Sequence, residues 1–138
     1  MKLRRRVALG VVLAVSGALL AGCNGKTVAP TNVKYSSARL QASVSCDGTS
    51  PCYYYFRTWD FSAGQWTYTK VRGPFGKTNG YVTVGEDFSF HPGTGNGWLA
   101  YQVCGKGDGV TNWTCVGPNG GNSFQYFQLN RNQSVHQG

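Results

Sequence analysis

The chain has 138 residues, with 13 Lys and Arg against 5 Asp and Glu, a formal net charge of +8. That length allows one domain rather than two, and a hydrophobic share of 41% is enough for a core. The four Trp, eight Tyr and seven Phe all fall after residue 30, Ile is absent, and only one long apolar run occurs, which argues against a helical cytosolic protein and against a multi-pass membrane protein.

The chain opens with Lys2, Arg4, Arg5 and Arg6, followed by an uncharged apolar run over residues 7–22. At ~1.5 Å per residue that run reaches about 24 Å, short of a ~30 Å hydrocarbon core. A cationic head, a short apolar stretch and small residues before a break describe a signal peptide over residues 1–22. The break, Leu20-Ala21-Gly22-Cys23, resembles the lipobox of bacterial lipoproteins. The resemblance implies that the chain is cut before Cys23, that its thiol carries a diacylglyceryl group, and that the new amino end is acylated, palmitate being the usual kind of chain. Two or more acyl chains give stable anchoring to a bilayer where one would not. The expected location is therefore the outer face of a bacterial cell membrane. Setting Cys23 aside leaves four cysteines, an even number that suits disulfides in an exported protein. Beyond residue 22 nine cations face five acids, and no two of the cations are adjacent. Nucleic-acid binding needs clustered charge, so no nucleic-acid partner is expected.

Residues 24–36 carry Gly, Lys, Thr, Pro, Asn and Ser with little periodicity and read, together with Cys23, as a lipidated tether over 23–36, up to ~40 Å long. One domain is expected over 37–129 and a loose polar tail over 130–138. Within the domain the period is two. Ala38, Leu40, Ala42 and Val44 alternate with Arg39, Gln41, Ser43 and Ser45, the pattern of a half-buried strand. Cys46 to Cys52 reads as a turn. Residues 53–59, Tyr-Tyr-Tyr-Phe-Arg-Thr-Trp, form a second strand, with Tyr53, Tyr55, Arg57 and Trp59 on one face and Tyr54, Phe56 and Thr58 on the other. A third strand covers 65–71, with Trp66 and Tyr68 facing one way. Residues 81–84 and 87–90 make one broken strand or two short ones. Residues 98–104 place Leu99, Tyr101 and Val103 on one face, and 123–129 closes the domain. Six or seven strands with turn signals about every ten residues predict an all-β protein, a single antiparallel sandwich.

Phe90-His91-Pro92-Gly93-Thr94, followed by Leu99-Ala100-Tyr101-Gln102-Val103-Cys104, resembles a corner of fibronectin type III and immunoglobulin-like domains, and the run at 53–57 resembles a central strand of that family. Lipoproteins of the actinobacterial type carry such domains, with cysteines after two of the strands. One departure stands out. The family places a tyrosine shortly after the Thr, whereas this chain has Gly95-Asn96-Gly97 and then Trp98.

Four cysteines allow three pairings. Pairing Cys46 with Cys52 and Cys104 with Cys115 needs no long-range geometry and is the expected one; Cys46 with Cys104, leaving Cys52 with Cys115, stays open. Each bridge would clamp one loop, and on the sandwich reading both loops lie at the same end. The spacing lacks a paired CxxC, so no metal and no cofactor are expected. Catalysis is not expected either. His136 lies in the tail, His91 in a turn, and Glu86 and Asp87 are adjacent, so on a strand their carboxylates diverge. What remains is binding. Tyr54, Trp59, Trp66, Trp113 and Tyr126 are more aromatics than one small core hides, and Trp113 lies inside the 104–115 segment, where a core role is hardest to arrange. Trp113, Trp66, Trp59 and Tyr54 are the candidate contacts. The function expected is that of a surface lipoprotein, monomeric, which binds an extracellular protein. A module for wall or external glycans, a phage- or prophage-encoded exclusion lipoprotein and a structural spacer are the alternatives.

Overall fold

The structure, a computed structural model, describes residues 23–91 and 95–132. The expected signal segment (residues 1–22), Pro92-Gly93-Thr94 and His136 lie outside the described residues. Nine strands run in order: β1 (Cys23–Thr31), β2 (Ser37–Cys46), β3 (Cys52–Asp60), β4 (Gln65–Tyr68), β5 (Arg72–Phe75), β6 (Val82–Ser89), β7 (Trp98–Gly107), β8 (Thr114–Val116) and β9 (Gln125–Gln128). No helix occurs among the described residues.

All pairing is antiparallel, and two sheets result. The small one has the order β1-β2-β6. The large one has β3 and β7 at its centre. β4 and β5 share one flank of β3, β4 opposite Arg57 to Asp60 and β5 opposite Cys52 to Tyr54. β8 and β9 likewise share one flank of β7, β8 opposite Val103 to Gly105 and β9 opposite Trp98 to Tyr101. The large sheet is thus four positions wide, with both edges interrupted. Short, broken edge strands limit the length of unpaired backbone offered to another chain. The predicted all-β sandwich is what forms.

The alternation in β2 places Ala38, Leu40, Ala42 and Val44 inward. They meet Phe56 of β3, Leu99, Tyr101 and Val103 of β7, and Phe90, Phe127 and Leu129. Tyr101 is fully buried, and its hydroxyl crosses the core to the small sheet, where it donates to the Val28 carbonyl and accepts from the Gln41 amide at 3.3 Å. Trp98, at the departure from the resembled family, is 42% exposed, so the tyrosine that ties the two sheets is three residues further on.

Two expected boundaries are corrected. The stretch read as a tether holds β1, which pairs with β2 from Cys23↔Cys46 to Thr31↔Arg39. The tail begins docked: the Asn130 amide donates to the Lys34 carbonyl at 2.9 Å, and the Arg131 guanidinium lies 4.4 Å from the Tyr35 ring centre. An edge strand is held by backbone hydrogen bonds, so it needs no alternating side chains. β1 turns only small groups inward, Gly25 and Thr27 among them, and Gly25 lets Val44 and Val103 approach to within 3.4 and 3.5 Å of where a Cβ would stand.

Candidate functional site

Side chains alternate across β3, so Tyr53, Tyr55, Arg57 and Trp59 leave the large sheet on its outer face. The ladder sets Trp59 opposite Trp66, and their rings meet edge to face at 5.2 Å. Trp66 stacks on Phe124 at 5.9 Å, Phe124 reaches Tyr126 at 6.4 Å, and Tyr126 stacks on Phe61 at 5.9 Å with only 17° between planes. A second run joins Tyr68 to Tyr55 at 6.0 Å and Tyr55 to Trp113 at 4.8 Å. Eight aromatic rings therefore cover this face. Phe61, Tyr68 and Tyr126 are each about half exposed, at 48%, 55% and 57%.

Arg57 lies between the two runs, two residues from both Tyr55 and Trp59. Its guanidinium is 4.3 Å from the centre of the Trp66 ring. It is held from below: Nε and a terminal nitrogen donate to the Gln102 side-chain carbonyl at 3.0 and 2.8 Å, and the buried Gln102 amide donates to the Ser123 carbonyl at 2.7 Å. The cation is thereby fixed under an aromatic lid rather than free in solvent, a geometry that favours cation–π attraction. Lys106 makes a looser version of the same contact, 5.2 Å from the Trp113 ring centre. Partial burial raises the Tyr55 phenol above its ordinary pKa.

A second feature is a cleft of about 530 Å³ where the two sheets part, beside the start of β1. Cys23, Val44, Tyr54, Tyr81, Val103 and Val116 contribute to its walls, and Gly25, Gly105, Gly120 and Gly121 leave it wide. The Cys23 thiol is free, 7% exposed, and points across at β7, 2.8 Å from where a Cβ on Gly105 would stand. Burial pushes its pKa from 9.0 to about 11.

The carboxylates are dispersed. Glu86 takes two hydrogen bonds from Arg72, at 2.6 and 2.8 Å, and bridges β6 to β5. Asp87 pairs with Arg39 at 3.1 Å, and Asp60 accepts from the amides of Ser62 and Ala63 in the turn after β3. Among the described residues no group of three or more His, Cys, Asp or Glu is placed to hold a metal ion.

Of the candidate contacts, Trp59, Trp66 and Trp113 share the outer face. Tyr54 does not join them: it points between the sheets, touches Phe56 and Phe75, and lines the cleft. Phe61, Phe124 and the anchoring pair Arg57–Gln102 were not among the candidates. The alternation of β3 carries Arg57, but only the registers of β4 and β9 bring Trp66, Phe124 and Tyr126 together. The structure joins Cys46 to Cys52 and Cys104 to Cys115.

These features define an antiparallel β-sandwich whose larger sheet carries an aromatic outer face. Two solved structures of the sensor domain of the anti-sigma factor RsgI4 in Pseudobacteroides cellulosolvens are similar in fold. The longer version superposes with a TM-score of 0.51 at 11% identity, over 81% of this chain and 93% of that one. The shorter version gives 0.53 at 10% identity, over 80% of this chain and 97% of that one. Neither a family model nor a curated protein matches the sequence.

Proposed function

We propose that this chain is an exported, non-enzymatic recognition module, anchored to the outer face of a bacterial membrane through Cys23, that binds a protein partner on the outer face of its larger sheet. The carrying observation is the aromatic face itself, eight rings around a pinned Arg57. Trp, Tyr and Arg are the residues that dominate protein-binding hot spots: Trp and Tyr bring large contact area with few rotors to freeze, and Arg57 is already held in place by Gln102. Two disulfides accord with an oxidising compartment. The likeness to a sensor domain supports recognition over catalysis.

The anchor sets an order of events. A buried thiol with a raised pKa is a poor nucleophile, so acylation of Cys23 precedes folding of β1. The cleft opening beside Cys23 leaves the attached lipid a way out.

The nearly parallel pair Phe61 and Tyr126 favours a second reading, a flat platform for sugar rings. One experiment separates the two. A photocrosslinking amino acid is placed at Tyr126, or at Lys26 of the small sheet as control, and the native cell surface is irradiated. A discrete protein adduct from position 126 alone, abolished by Tyr68→Ser, is the expected result. Adducts of equal yield from both positions would refute the protein-binding face. Binding on a glycan array that disappears with Tyr126→Ser would establish the second reading instead.

A further inference from the structure

The β registers fix which end of the sandwich carries the anchor. Cys23 stands opposite Cys46, and Cys52 stands opposite Gly107. The Cys46–Cys52 bridge, the end of β7 and the start of β8 therefore share one rim with Cys23. The segment before β6 joins them, since the Thr78 amide donates to the Cys46 carbonyl at 2.9 Å. β1 begins at Cys23 itself, so no spacer separates the lipid attachment point from the folded domain.

We infer that this rim is a membrane-docking surface, seated on the phospholipid headgroups with Trp113 and Tyr81 at the interface. The inference rests on lipidation of Cys23. The rim has the composition that interfaces favour: Tyr81 is 57% exposed, Val82 is 40% exposed, and Trp113 is half-buried under Lys106. Trp and Tyr settle at headgroup depth because their rings are apolar and their N–H or O–H groups are polar. Charge does not drive the contact. Lys77 and Lys106 are offset at the same rim by Asp47 and Asp108, so docking is set by the anchor and the aromatic residues and is insensitive to salt. The clamped loops at this rim face the bilayer with Trp113, and the rest of the aromatic outer face, from Tyr55 and Tyr68 to Trp66 and Tyr126, stands sideways to it, open to a partner.

The fold supplies an internal control. Trp98 starts β7 and Gly107 ends it, about 30 Å apart at ~3.3 Å per residue. Trp98 is exposed at the far end. The full chain is exported and lipidated in a bacterium, purified, and reconstituted into phosphatidylcholine vesicles with acyl chains brominated near the headgroup. Bromine quenches only nearby indoles. Expected are quenching of the wild type, loss of most of it in Trp113→Phe, no loss in Trp98→Phe, and its return when Tyr81→Trp is added to Trp113→Phe. Salt leaves the pattern unchanged. Quenching that survives Trp113→Phe, or that vanishes with Trp98→Phe, overturns the orientation while leaving the anchor intact. A protein whose Cys23 carries no lipid by mass and which stays out of the vesicles overturns both.

Discussion

Tyr101 shows how one hydroxyl couples the two sheets. Its ring fills the core against Phe56 and Phe127, while its oxygen bonds backbone of both β1 and β2. Burial raises its pKa from 10.0 to about 12, the Gln41 backbone pulling weakly the other way. The neutral phenol is the form the fold holds. Its contribution is therefore complete below pH 10 and is lost as pH rises toward 12. The Cys23 thiol acts with the same sign between 9.0 and about 11 in unlipidated protein. Replacing Tyr101 by Phe keeps the ring and leaves the Val28 carbonyl without this donor. A loss of about 1–3 kcal/mol near neutral pH is expected, together with a flatter decline above pH 10, read from urea unfolding across the pH range.

Among the elements, the disulfides act on the same rim in different ways. Cys46–Cys52 closes the β2–β3 connection, where the chain changes sheets. Cys104–Cys115 joins residues directly opposite in the β7–β8 ladder, Cα to Cα 3.9 Å, and so fastens the three-residue β8. Loops this short restrict the unfolded chain by roughly 2–3 kcal/mol each. Changing either pair to Ser is expected to cost that much in urea unfolding, with β8 amides exchanging faster only when Cys104 and Cys115 are changed. Both of these bridges join near neighbours in sequence, which is why their pairing was legible from spacing. The long strands were equally legible, because β2, β3 and β7 alternate cleanly. β1 and β8 were not. β8 is three residues long, and β1 owes its place to the free edge of β2, a property of the partner strand.

At the scale of the whole molecule, residues 23–31 belong to the fold as the strand β1 paired with β2. A chain starting at residue 37 would lose β1, bare the edge of β2 and strip Tyr101 of its Val28 acceptor. Such a chain is expected to aggregate on gel filtration, whereas one starting at residue 24 stays monomeric and cooperative in unfolding. The same geometry places the Cys46–Cys52 bridge and the end of β7 beside Cys23.

By itself the sequence determined the all-β class, the alternation that separates core from surface on the long strands, and the local cysteine pairs, because each is a property of neighbours along the chain. Only the tertiary structure decided that Trp66, Phe124, Tyr126 and Phe61 form one face with Arg57 beneath, that Tyr54 turns into the cleft, and that residues 23–31 are a strand. Those outcomes depend on strand register and on which edge stands unpaired, and the contacts that fix both join residues far apart in the chain.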